Sequence, residues 1–244
     1  MSIYAIGDLH LSLDNSKPMD VFGDNWKNHM EKIKDNWKKI IKDDDLVILP
    51  GDFSWAMNIK DMYLDFKFIN DLPGIKVLIK GNHDYWWSTM KSMNEFIIKN
   101  NFTNIYFLNN NSFYYQGYSI IGTRGWNFKE EDNLEKMINR EKCRLENSII
   151  DCKKNNTNSK IICVLHYPPL IPGMLYNRNY GPYLEILKKY NIQKCLYGHL
   201  HGEAHLEAIE GKIDGIELKL VSSDYLNFIP YLVAKTGEET NEEK

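Results

Sequence analysis

Short apolar runs, each cut off by a polar motif, alternate along this chain with segments whose apolar residues recur at helical spacing. Runs such as Leu46-Val47-Ile48-Leu49 and Ile75-Lys76-Val77-Leu78-Ile79 are too short for helices and too continuous for strands with one wet face. They read as buried strands. Between them, Trp26, Met30, Ile33, Trp37, Ile40 and Ile41 mark an amphipathic helix over residues 25–42. Strands at 3–6, 105–108, 161–165 and 194–197, and helices at 59–71, 88–98, 130–153 and 181–190, continue the alternation of an α/β fold. A hairpin is expected at 113–122, turning at Gln116-Gly117. The C-terminal part offers strands at 204–209, 216–221 and 229–233. No repeat or linker interrupts this pattern, so residues 1–235 read as one domain, followed by an acidic tail at 236–244.

Five of the apolar runs end in groups that bind metals: Asp8-Leu9-His10, Gly51-Asp52, Gly81-Asn82-His83-Asp84, His166, and Gly198-His199-Leu200-His201. Read as an extended segment, Asp8 and His10 would point to one side and share a cation. Asp52 has two acceptor oxygens and can bridge two cations, while Asn82 offers an uncharged carbonyl oxygen. Each motif alone is an ordinary turn. Their joint occurrence at strand ends is the signal, because strand ends in α/β folds are where functional groups converge. The set is rich in oxygen and imidazole and lacks thiolate, which suits hydrolytic metal ions.

Other bulk features exclude more than they suggest. A net charge of −3 gives no broad attraction to nucleic acid or anionic membrane. No apolar run approaches the roughly 20 residues that span a bilayer, and the N-terminus lacks a secretory pattern, so a cytoplasmic protein is expected. Cys143, Cys152, Cys163 and Cys195 have no paired short spacing and read as reduced thiols. His29 reads as a solvated helix residue, His205 as a strand residue or a partner to a ligand. Helical packing accounts for Trp26 and Trp37.

The ordered motifs resemble those of the calcineurin-like metallophosphoesterase superfamily, from residue 1 to about 225. That resemblance implies a four-layer αββα sandwich, two mainly mixed β-sheets flanked by helices. It implies that Asp8, His10 and His201 bind one metal, Asn82, His166 and His199 the other, with Asp52 bridging. The ions would be Mn, Fe or Zn, and a bridging hydroxide would attack a small phosphomonoester or phosphodiester. His83, outside the ligand set, is the expected general acid for the leaving alkoxide.

Two departures narrow the reading. Serine/threonine phosphatases of this superfamily follow Gly-Asp with Val-Asp-Arg-Gly, where this chain has Phe53-Ser54-Trp55-Ala56-Met57, and they have Glu where Asp84 stands. Without the usual arginine, a small ester is favoured over a phosphoprotein; Arg124 and Arg178 are the candidate replacements for gripping phosphate. A nuclease or protein phosphatase of the same superfamily, and a non-catalytic binding scaffold, are the alternatives. Phe53, Trp55, Tyr85, Trp86, Trp87, Trp126, Tyr167 and Tyr176 form the candidate aromatic lining.

Overall fold

The computed structural model describes residues 1–14, 17–130, 132–177 and 180–236. Arg178 and nearly all of the acidic tail lie outside them. The first half comprises β1 (Ser2–Ala5), α1 (His29–Ile40), β2 (Leu46–Leu49), α2 (Tyr63–Asn70), β3 (Ile75–Leu78), α3 (Met90–Lys99) and β4 (Ile105–Phe107). It continues through β5 (Phe113–Tyr115), β6 (Tyr118–Thr123), α4 (Leu134–Asn155), β7 (Lys160–Leu165) and α5 (Pro172–Tyr176). The last elements are α6 (Gly181–Lys189), β8 (Lys194–Tyr197), β9 (Gly211–Ile213), β10 (Ile216–Leu220) and β11 (Tyr231–Lys235).

Two sheets form, in the orders β11-β1-β2-β3-β4 and β5-β6-β7-β8-β10-β9. The inner strands of each run parallel, and antiparallel strands close three of the four edges. Three apolar layers explain why the strands read as unbroken apolar runs. Val47, Leu49, Leu78 and Phe107 pack on Ile33, Trp37, Phe66 and Met93 from α1, α2 and α3. Ile3, Ile48 and Val77 pack on Ile120, Ile162, Val164 and Leu196 between the sheets. Ile121, Cys163, Leu165 and Cys195 pack on Leu145, Ile149, Leu184 and Leu187 from α4 and α6. The central strands, as β2 shows along its whole length, are therefore dry on both faces, and the architecture is an αββα sandwich.

Several boundaries differ from the sequence reading. Thr89, not Ser88, caps α3, its hydroxyl accepting from Ser92 N–H at 3.2 Å. Residues 202–207 form a 3-10 helix rather than a strand, and Asp224 accepts from Gly202 N–H at its start at 3.1 Å. α5 follows Pro168-Pro169 and was not anticipated, its five residues being too few for a periodic signal. All four cysteines are free, and Cys163 and Cys195 face each other on β7 and β8. No helix among the described residues is long and apolar enough to cross a membrane.

Candidate metal centre

The carboxyl ends of β1, β2, β3, β7 and β8 open onto one edge of the sandwich, and every anticipated ligand lies just beyond one of them. Donor atoms of Asp8, His10 and His201 lie within 4.8 Å of one another, as do those of Asp52, His166 and His199. Asp52 faces both groups: Oδ2 lies 3.8 Å from His10 Nε2, and Oδ1 lies 3.6 Å from His166 Nε2. Asn82 Oδ1 lies 2.6 Å from His166 Nε2 and 2.9 Å from His199 Nδ1.

The backbone reaches this arrangement by a route the sequence did not reveal. Asp8, His10, Asp52 and His199 all have positive φ, between 46° and 74°. Asp8 and His10 are therefore not neighbours on an extended segment; a left-handed turn brings them together. Such conformations cost of order 1 kcal/mol or more each in non-glycine residues and persist where surrounding contacts enforce them. Asp84 supplies much of that enforcement between two of the loops. Its carboxylate is fully buried and accepts from the N–H groups of Gly81 (2.7 Å), Asp52 (2.9 Å), Phe53 (2.8 Å) and Ser54 (3.3 Å), and from Trp86 Nε1 (2.9 Å). Gly81 is required because a Cβ there would collide with Asp52.

The ring nitrogens are oriented by hydrogen bonds on their far sides. His166 Nδ1 donates to Pro50 O at 3.0 Å, which leaves Nε2 to face Asn82 and Asp52 with its lone pair. Burial keeps this imidazole neutral by lowering its pKa. With the carboxamide oxygen assigned to that side, two lone pairs then meet at 2.6 Å. His10 Nε2 and His201 Nε2 also face each other, at 3.3 Å; Asp224 and Asp8 hold His201 protonated, and that ring would give up its Nε2 proton when a cation binds. Convergent lone pairs of this kind fit a cation between them, so the donor set suits the metals that the motifs imply.

The electrostatics are those of a site crowded with titratable groups. Burial, reinforced by the Asp8 charge, pushes Asp52 up to about 8. Burial also pushes Asp84 up to about 6, with Asp52 adding to the shift. Burial, with His166 beside it, takes His199 down to about 3. His201 moves the other way. Burial would lower it, but hydrogen bonds to Asp224 and Asp8 and their charges hold it up at about 10. A carboxylate at 0% exposure beside His201, Asp8 is held well below its usual range despite its burial.

His83 stands at the rim. Its N–H donates to Asp52 Oδ1 at 2.8 Å, its ring lies 4.7 Å from Trp55, and Nδ1 is buried with no hydrogen-bond partner. Burial, and then His166, lowers it to about 4. The aromatic candidates divide sharply. Trp55 stacks on His10 at 4.9 Å, and Tyr167 lies 4.4 Å from His199. Phe53 and Trp86 are core residues packed on Phe66, while Tyr85 and Tyr176 are exposed. Arg124 does not project from the Gly-Asp loop; it follows β6 and lines a cavity beside the centre.

Five participants escaped the sequence reading. Trp26, assigned to helix packing, lies in a 3-10 turn ahead of α1, its ring 5.8 Å from His10 and 5.6 Å from His201. His29 is not solvated but 5% exposed, its Nε2 lying 3.3 Å from His10 O. Asp224 binds His201, and the adjoining Ser222 and Ser223 hydroxyls donate to Asp8 Oδ2 at 3.0 Å and Asp8 O at 2.7 Å. Ser222-Ser223-Asp224 follows β10 as another polar motif after an apolar run, which was the available signal.

Comparison with known proteins bears on the family and the fold. The calcineurin-like phosphoesterase family model matches residues 1–203, and the chain belongs to that family. It is a hydrolase acting on phosphoester bonds, in a family that uses a dinuclear metal centre. Among solved structures, the phosphopantetheinyl hydrolase of Mycobacterium tuberculosis aligns over 97% of this chain and 96% of its own, with 13% identity and a TM-score of 0.55. TT1561 of Thermus thermophilus aligns over 88% and 86%, with 13% identity and a TM-score of 0.50. A protein of unknown function from Aquifex aeolicus aligns over 95% of both chains, with 21% identity and a TM-score of 0.49. No curated protein matched the chain. At these identities the structural likeness concerns the fold.

Proposed function

We propose that this chain hydrolyses a small phosphomonoester or phosphodiester at a dinuclear centre. Asp8, His10 and His201 hold one ion in this reading, and Asn82, His166 and His199 hold the other. The observation that carries it is Asp52, whose two oxygens face His10 on one side and His166 on the other. Two bound cations, whether Mn, Fe or Zn, would supply Lewis-acid polarisation of the phosphoryl group and activation of water.

The residues of the chain do the positioning. Pro50 O and Asp224 fix the tautomers of His166 and His201, so that the nitrogens facing the centre carry lone pairs. Trp55, Trp26 and Tyr167 wall the imidazoles and limit water on their flanks. In this reading His83 delivers a proton to the departing alkoxide, and its unpartnered nitrogen at the rim supports that role. The loop after Asp52 turns Trp55, not a cation, toward His10, which favours a small ester over a phosphoprotein. The net charge of −3 argues against a nuclease.

Metal analysis joined to a turnover assay tests this reading. Protein loaded with Mn, Fe or Zn should bind two ions per chain and hydrolyse an aryl phosphate, with activity lost to chelator and restored by metal. A well-folded protein that binds no metal tightly and shows no metal-stimulated hydrolysis would sink the proposal.

A further inference from the structure

The same edge of the sandwich carries a second polar feature, next to the centre but outside the ligand set. A cavity of about 420 Å³ opens where Lys80 follows β3, Asn109 and Asn110 follow β4, and Arg124 follows β6, with Arg140 and Arg144 of α4 across from them. That volume is at the lower end of the ~300–1,000 Å³ typical of small-molecule sites. Among the described residues, no Asp or Glu lines it.

The three arginines are anchored by contacts with the protein, the side chains of Arg140 and Arg144 remaining 41% and 40% exposed. Glu141, fully buried beneath them, accepts from Arg144 Nη1 at 2.8 Å and from Arg140 Nη2 at 3.1 Å through one oxygen, while Thr123 Oγ1 donates to the other. Arg124 lies 4.6 Å over the Trp126 ring, and Arg140 lies 5.7 Å from the same ring. Arg124 Nε is buried with no acceptor, and neither Arg124 nor Lys80 has a carboxylate partner within ion-pair distance among the described residues. Four positive charges and one buried negative charge thus converge on one small space. Holding like charges together costs free energy unless an anion joins them.

Both neighbours of the cavity lead to the centre. Lys80 is two residues before Asn82, and Arg124 O accepts from the N–H groups of His166 (3.1 Å) and Tyr167 (3.0 Å). From this geometry we infer that the cavity is a second anion subsite, holding a phosphate-class group of the substrate remote from the ester being cleaved. The substrate class is then a small molecule with two phosphate-class groups, one at the metal centre and one among Lys80, Arg124, Arg140 and Arg144. Fixed guanidinium forks suit such a group because they donate parallel hydrogen bonds to its oxygens. This inference rests on the phosphoesterase reading above.

A spacer series of alkanediol bisphosphates, compared with the matching monophosphates on metal-loaded enzyme, tests it. At one spacer length the bisphosphate should have a KM lower by about tenfold or more, the worth of a charge-assisted contact. Arg140→Gln and Lys80→Gln should each raise that KM toward the monophosphate value, whereas Lys91→Gln, an exposed cation on α3, should leave the ratio unchanged. Equal KM values for the two series at every length, or a ratio indifferent to Arg140→Gln and Lys80→Gln, would overturn the subsite. If no ester is hydrolysed, the phosphoesterase reading itself fails. Calorimetry of the same pairs then decides the subsite: tighter binding of a bisphosphate, weakened by Arg140→Gln, supports it, and equal binding overturns it.

Discussion

His201 Nδ1 lies 2.8 Å from Asp224 Oδ1, while the other oxygen of Asp224 accepts from Gly202 N–H at 3.1 Å. The carboxylate thus fixes both the tautomer of His201 and the backbone that follows it. Asp224→Asn should weaken metal affinity at the Asp8, His10 and His201 group by about 10- to 100-fold, the usual range for loss of a carboxylate that orients a ligating histidine. Calorimetric titration with Mn or Zn reads the change directly. An unaltered affinity would mean that Asp224 only supports the 202–207 turn.

Asp84 ties the loop after β2 to the loop after β3 through four backbone N–H groups and Trp86. Asp84→Ala leaves those buried donors unpaired, at ~1–3 kcal/mol each, so a loss on the order of 4 kcal/mol is expected after partial relaxation. Asp84→Asn keeps one acceptor oxygen and should lose roughly half as much. Urea unfolding measures both, and identical midpoints for the two variants would contradict the hydrogen-bond account.

His83→Asn separates proton donation from binding. Alkyl phosphates, with strongly basic leaving groups, should lose about 10²- to 10⁴-fold in kcat, the typical contribution of a positioned acid. Nitrophenyl phosphate, whose leaving group needs no proton, should lose much less. Because burial holds the free imidazole at about 4, the anionic ester has to raise its pKa before it donates. Equal losses across the leaving-group series would remove His83 from the proton-donor role.

Lys76 has a fully buried side chain on β3, and its ammonium donates to Leu72 O. Burial lowers its pKa to about 7, so between that value and 10.5 the unfolded chain binds more protons than the folded one. Stability therefore rises with pH through this window, at most about 1.4 kcal/mol per unit. Urea unfolding should register a Lys76 contribution on the order of 2 kcal/mol between about pH 7.5 and about pH 9.5. Lys76→Met should flatten that slope and stabilise the protein most at and below neutral pH. A slope unchanged by Lys76→Met would assign the pH dependence elsewhere.

Much of the sandwich was legible because strands that are dry on both faces must be apolar along their whole length, as Leu46–Leu49 is. The ligand residues were legible for a related reason: a polar group that ends such a run sits at the sheet edge. The 3-10 helix at Gly202–Glu207 was not legible, since the acceptor for Gly202 N–H is Asp224, distant in sequence. Nor was the place of Trp26 or the burial of His29, because helical periodicity reports that a residue is covered and not what covers it.

The sequence by itself determined the α/β alternation, the depth of the strands and the residue types available at their ends. Those properties follow from local patterns of burial and from chemistry that each side chain carries alone. Tertiary structure alone decided that Asp52 faces both His10 and His166, that left-handed turns at Asp8 and His10 aim them together, and that Asp224 orients His201. It also decided that Lys80, Arg124, Arg140 and Arg144 share one cavity. The reason is that these relationships depend on the loop conformation at each strand end, on which strands pair, and, for Asp52 with His166, on the packing of the two sheets against each other.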